Sequence, residues 1–465
     1  MKECLMKWDR SCVKLMCAAA VLGVFVGMTG VVQARGRSWT PPVSIAVFSD
    51  PHLLDPSLLI SDGPAFQMYL AQDRKLIAES DAILRSTVSR IRARRPDLCL
   101  IPGDLTKDGE LASHERVAQY LADSLESVGV QVFVVPGNHD INNEEAYAYD
   151  GASVIPVPTV SPDEFEEIYG DMGYDEAFAR DPNSLSYVAE PVEGLWVFGI
   201  DACKYDMNVG HSETGGRLTP ETLAWLTSML DSCKAEGKTP MALMHHGVME
   251  HYTGQSSIFD NMFADYVIDD WASIRDTLAT HGLKVVFTGH YHAQDIVKHE
   301  TTSGEVIYDI ETGSTVTWPS PFRMATFFAH GKLVVTTRRI WDIDYDTGDL
   351  PFPLYARNFL EEGLTGIVTA MFVYQFGVPE EQAAELVPFV VRAFMAHYAG
   401  DEKPTVLDDA TYEALIADPN PLIQAMGLAL QSLWTDLAPR DRNLVIDLDG
   451  KSPWLKRPDW APKHR

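Results

Sequence analysis

The stretch KVVFTGHYHAQD (residues 284–295) sets a short apolar run against a turn that carries two histidines. A run this brief, rich in valine and closed by glycine, predicts a strand buried on both faces. His290 and His292, on either side of Tyr291, stand just past its carboxyl end. The same figure recurs along the chain. VSIAVFS (43–49) runs into Asp50-Pro51-His52, LCLIP (98–102) into Gly103-Asp104, and VQVFVVP (130–136) into Gly137-Asn138-His139-Asp140. MALM (241–244) runs into His245-His246, and LWVFGI (195–200) is a further strand of the same kind. Helical spacing separates these runs at 72–94, 112–127, 219–235 and 268–281, with Thr219 as the cap of the third. Strand alternating with helix predicts an α/β core. In such a core the carboxyl ends of parallel strands share one edge, so five turns bearing metal-ligand residue types can converge there.

Composition narrows the classes open to the chain. Its 465 residues are 46% hydrophobic and 22% charged, as in an ordinary folded protein, and exceed what one simple core accommodates. The formal charge of −29 excludes a general binder of nucleic-acid backbones or anionic membranes. Lys2, Lys7, Arg10 and Lys14 precede an apolar stretch that ends near Val32-Gln33-Ala34, the pattern of an export signal over residues 1–34. A retained membrane anchor is the competing reading of that segment. With the signal removed, no membrane span is expected, and the protein is placed in the periplasm, on the cell surface or outside the cell. Cys4, Cys12 and Cys17 leave with it. Cys99, Cys203 and Cys233 remain, an odd number that makes no disulfide scaffold, although Cys203 and Cys233 could pair.

The ordered series DxH, GD, GNHD, H and GHxH resembles that of the calcineurin-like metallophosphoesterase superfamily, over about residues 43 to 340. The resemblance implies a four-layered αββα sandwich, two β-sheets face to face with helices outside, and a dinuclear metal centre at one edge. Carried across residue by residue, it implies that Asp50, His52 and His292 hold one ion and that Asn138, His245 and His290 hold the other. Asp104 bridges both. His245 is preferred to His246 as the ligand because it follows the strand directly. A donor set of oxygen and nitrogen without thiolate suits Zn, Mn or Fe. The implied chemistry is hydrolysis of a phosphomonoester or phosphodiester by a metal-bridging hydroxide. His139 would protonate the leaving oxygen or stabilise the transition state, and Asp140 either orients it or has a solvated or helix-capping role; His246 and His251 are candidates to touch the substrate phosphate, with a surface role as the alternative for His251. Lys107 departs from the phosphoprotein phosphatase and purple acid phosphatase branches, which carry aspartate and tyrosine there. Asp108 beside it is read either as an orienting residue or as part of a turn.

Residues 35–345 are expected to form the metallophosphoesterase domain and 346–465 a helical carboxy-terminal domain, whose helices are split by Pro or Gly. It could cover the site, mediate assembly or stabilise the fold. The uncharged run 363–379 is read as a packed helix, and His330-Gly331 as a hairpin turn. The excursions at 141–183 and 247–266 are expected to wall the site and to select the small phosphate-ester substrate. Two other functions fit the same residues: a sphingomyelinase-like lipid-headgroup phosphodiesterase, and a non-catalytic exported metal-binding module.

Overall fold

The computed structural model describes residues 42–258, 262–328 and 331–448. The expected export signal and His330 of the expected turn lie outside the described residues. Strands of the first half are β1 (Val43–Val47), β2 (Leu59–Ser61), β3 (Leu98–Pro102), β4 (Gln131–Val135), β5 (Tyr147–Asp150) and β6 (Ser153–Pro156). They are followed by β7 (Ala177–Arg180), β8 (Tyr187–Val192), β9 (Leu195–Ile200), β10 (Thr239–Met244) and β11 (Val285–Thr288). The last are β12 (Ile296–Glu300), β13 (Val306–Glu311), β14 (Pro321–Phe328), β15 (Lys332–Arg339) and β16 (Asn443–Asp447). One sheet has the order β16-β15-β14-β1-β3-β4 and the other β12-β13-β11-β10-β9-β8-β7; β2, β5 and β6 make a small third sheet. Strands β1, β3 and β4 are mutually parallel, and so are β9, β10, β11 and β13.

The parallel strands β1, β3, β9 and β11 are largely apolar because both of their faces are covered, whereas β13 carries Asp309 and Glu311. Ile45, Leu100 and Phe133 of the first sheet share one core with Val197, Leu243 and Phe287 of the second. On the outer face of the second sheet, Phe198, Ala242 and Val286 pack on Leu226 and Leu230 of one helix and Leu278 of another. The helices α1 (Pro64–Leu70), α2 (Ser80–Arg92), α3 (Leu111–Ser124) and α4 (Pro162–Ile168) belong to the first half, α5 (Pro220–Ala235) and α6 (Trp271–Thr280) to the second. Leu84 and Val88 of α2 and Val117 and Leu121 of α3 cover the first sheet, which completes the four layers. Thr219 caps α5 as read, accepting from the amide of Thr222.

One expected helix is shorter than its periodicity suggests. The pattern over 72–94 folds as helix only from Ser80, and residues 72–79 run as a loop. Leu76 and Ile77 are buried there, and the Leu76 amide donates to the Val316 carbonyl at 2.8 Å. A tertiary partner for that amide replaces the bond a helix would have supplied.

Beyond β15 come α7 (Phe352–Ala370), α8 (Glu380–Ala399), α9 (Val406–Ile416) and α10 (Pro421–Leu433). The run 363–379 is packed, with Leu364, Val368, Phe372 and Val378 buried. Among the described residues no helix is long and apolar enough to cross a membrane. The chain then returns to the first sheet, where β16 pairs antiparallel with β15, a strand within a region read as helical. The helical region also receives Tyr291: buried, it meets Tyr266 edge to face, lies tilted against His397, and its hydroxyl is 3.0 Å from that of Tyr252. The residue between the two histidines therefore anchors their turn to the carboxy-terminal helices.

Candidate metal centre

The turns after β1, β3, β4, β10 and β11 meet at one edge because backbone bonds join them. The Asp50 amide donates to the Gly103 carbonyl, that of His52 to Asp104, and that of Gly289 to His245. Close approach then dictates residue type. A Cβ on Gly137 would fall 2.2 Å from Asp104 Oδ1, and one on Gly289 would fall 2.4 Å from Asp50 Oδ2. Asp50, His52, Asp104, His290 and His292 have φ of 50°, 38°, 49°, 76° and 67°. Left-handed backbone at such residues costs about 1–3 kcal/mol each and persists only where surrounding structure enforces it. Gly289→Ala is expected to displace the Asp50 carboxylate and weaken metal-dependent turnover about tenfold or more. Metal titration of activity checks this.

Two groups of donors result. Asp50, His52, Asp104 and His292 each offer an atom within 4.8 Å of the others, and so do Asp104, His245 and His290. Asp104 Oδ2 lies 3.4 Å from Nε2 of both His52 and His245. His52 Nε2 and His292 Nε2 face each other at 3.1 Å, and Asn138 Oδ1 lies 3.1 Å from His245 Nε2. All of these residues are buried.

Neighbours set which ring nitrogen is free. His245 Nδ1 donates to the Pro102 carbonyl at 2.8 Å, His290 Nε2 to the Asp265 carbonyl at 3.2 Å, and His292 Nδ1 bonds Thr317 Oγ1 at 3.0 Å. The remaining nitrogens of His245 and His292 face the carboxylates. Asn138 donates through Nδ2 to Ser212 Oγ, which turns its carbonyl oxygen inward. Burial, with Lys75 nearby, holds the His52 imidazole well below its ordinary pKa, and burial with His246 does the same for His290. Both are neutral donors at neutral pH. Burial works against ionising Asp104, yet the imidazoles of His245, His139 and His52 hold it well below the usual carboxylate range. Imidazoles opposed at 3.1 Å and gathered around a shared carboxylate, with no thiolate, fit a pair of divalent cations.

The remaining expected residues are placed as follows. His139 has its amide on Asp104 Oδ1 at 3.0 Å, and its ring lies 4.9 Å from that of His52. Its orienting partner is Asp108, whose Oδ1 takes the Nδ1 proton at 2.8 Å, and not Asp140. Asp140 instead accepts the amides of Leu105, Thr106 and Gly137 at 2.8–3.1 Å, stapling the turn after β3 to the turn after β4. Burial and Lys75 oppose protonation of His139, but Asp104 and Asp108 raise its pKa above the ordinary value. His246 sits against His290 at 4.4 Å between ring centroids, with Nε2 donating to the Thr214 carbonyl. His251 lies in neither donor group; its ring faces Asp295, Asp309 and Glu311 at 3.4–3.6 Å, buried from solvent. Cys99, Cys203 and Cys233 are free thiols, so the Cys203–Cys233 pairing is not formed.

Sequence reasoning missed two cations. Lys75 is buried, and its charge acts on His52, His139, His292 and Asp108; Arg74 acts on His292 and bonds Tyr398 of α8. Adjacent Arg and Lys in a chain of −29 were the available signal, hidden by their place in an apparent helix. Lys107, read as a departure, is buried beside Asp108 and over the Tyr69 ring at 4.5 Å, and so fixes the aspartate that holds His139.

A probable cyclic nucleotide phosphodiesterase from a Synechococcus strain is 27% identical over 247 residues, 50% of this chain and 75% of that protein. A dimetal phosphatase from Danio rerio is similar in structure with a TM-score of 0.45 at 16% identity, over 65% of this chain and 98% of that one. A putative 5'-nucleotidase from Staphylococcus aureus has a TM-score of 0.38 at 13% identity, over 70% and 59%. The calcineurin-like phosphoesterase family matches residues 43–294, a span that includes every donor of both groups. This chain belongs to the calcineurin-like phosphoesterase family.

Proposed function

We propose that the protein is an exported phosphoesterase that hydrolyses a small phosphate ester at a dinuclear centre of Zn, Mn or Fe. The observation that carries this reading is Asp104, with one carboxylate oxygen 3.4 Å from histidines of both donor groups. Asp50, His52 and His292 would hold one ion, and Asn138, His245 and His290 the other. Bound there, the ions supply electrostatic stabilisation of the phosphoryl group and an acidified water. His139, with Nδ1 held by Asp108, keeps Nε2 for the proton that the leaving oxygen needs. Lys75 adds positive charge on the same side as His52 and His292. His246 is oriented by Thr214 and abuts His290, which supports a role in shaping the second metal's surroundings.

A phosphodiester is the favoured class, because the Synechococcus relative is a probable cyclic nucleotide phosphodiesterase. Export rests on the pattern of residues 1–34 alone. Kinetics with mono- and bis-(p-nitrophenyl) phosphate, after chelation and reloading with Mn, Zn or Fe, test the reading. Turnover is expected to vanish on chelation, to return with metal, and to favour the diester. Undiminished turnover without metal removes the mechanism, and a strong monoester preference makes the enzyme a phosphatase.

A further inference from the structure

A second polar cluster lies where the carboxy-terminal helices meet the sandwich. Asp295 precedes β12, His397 is in the last turn of α8, and Glu402 follows the bend at Gly400. The three are 3%, 1% and 6% exposed, and one donor atom of each lies within 4.8 Å of the others. His397 Nδ1 is 2.7 Å from Glu402 Oε1 and 4.0 Å from Asp295 Oδ2. Within this knot Asp295 Oδ1 and His397 Nε2 have no hydrogen-bond partner. A buried, unpartnered carboxylate oxygen is costly if it stays charged and uncompensated.

His251 and His397 favour the charged form of Asp295, yet they leave its Oδ1 without a donor. Among the described residues no lysine or arginine forms an ion pair with Asp295 or Glu402. The nearby guanidinium of Arg323 donates through its terminal nitrogens to the carbonyls of Asp441, Asp295 and Glu311, not to a carboxylate of the cluster. His251 faces Asp295, but it also faces Asp309 and Glu311, one imidazole against three carboxylates. Asp436 and Asp441 add further acids to the same region. The excess of carboxylates calls for a positive charge.

We propose that Asp295, His397 and Glu402 bind a third divalent cation, which ties the helical region to the sandwich. Its class follows from the donors. Two carboxylates and an imidazole suit a borderline ion such as Zn or Mn, whereas calcium takes oxygen ligands. Asp295 lies three residues after His292, so the ion also braces the turn that carries His290 and His292. This site shares no residue with the catalytic groups and does not depend on their assignment.

The test is a metal count on the full chain, stripped and reloaded separately with Zn and with Mn. The native protein is expected to hold about three equivalents, and Glu402→Gln and His397→Gln about two, with aryl phosphate hydrolysis retained. Native and variant counts that are equal overturn the inference. Should the variants fail to fold, anomalous diffraction from native crystals at the Zn or Mn edge decides. A peak between Asp295, His397 and Glu402 supports the site, and its absence beside peaks at Asp104 removes it. Peaks here but none at Asp104 would spare this site and overturn the catalytic reading instead. Calcium in place of a transition metal would overturn the assigned class.

Discussion

Asp104→Asn is expected to lower metal-dependent turnover by about a thousandfold or more while leaving the far-ultraviolet circular dichroism unchanged. Asparagine preserves the acceptor that holds the His139 amide at 3.0 Å, so the turn after β3 keeps its shape. What it loses is the shared oxygen. Oδ2 stands 3.4 Å from both His52 and His245, and an amide nitrogen there donates hydrogens where a cation needs a lone pair. Both donor groups include Asp104, so one substitution degrades both. Bound metal and kcat/KM should fall together. A variant that keeps its turnover would dissolve the bridging assignment.

His139→Gln is the second large effect, about a hundredfold to ten-thousandfold in kcat, with metal content unchanged. The imidazole is not in either donor group, yet its ring lies 4.9 Å from that of His52. Asp104 and Asp108 raise its pKa above the ordinary value, which favours the protonated form that an acid serving the leaving oxygen requires. The loss should therefore grow as the leaving group becomes more basic, and be smallest for p-nitrophenolate. Asp108→Asn should repeat that dependence at about ten- to a hundredfold, since it removes only the partner that aims the ring. A loss equal for all leaving groups would assign His139 to phosphate binding rather than proton transfer.

Much of this architecture was legible in the chain. The runs before Asp50, Gly103, Gly137, His245 and Gly289 are brief and apolar because both faces of their strands are covered, which periodicity reports faithfully. The glycines were legible as turn residues but not as close approaches: the 2.2 Å that a Gly137 Cβ would leave to Asp104 joins positions far apart in sequence. Adjacency made Asp140 a candidate to orient His139 beside a solvated or capping role, whereas the fold spends it on three backbone amides and brings in Asp108. His251 was read as a surface or substrate-contacting residue of a loop. That loop turns inward, and the ring ends among carboxylates contributed by Asp295 and by β13. Residues 72–79 kept a helical pattern but found their backbone partner in Val316.

The order of residues along the chain alone determined the α/β class and the strand ends that carry metal-ligand residue types, because burial of a strand acts on local residue type; which of those residues are donors was implied by the family resemblance. Tertiary structure alone decided which ring nitrogens are free, that Asp108 rather than Asp140 holds His139, and that Tyr291 fastens the histidine turn to the carboxy-terminal helices. Those outcomes depend on distances between atoms separated by tens to hundreds of residues, and no local pattern encodes a distance.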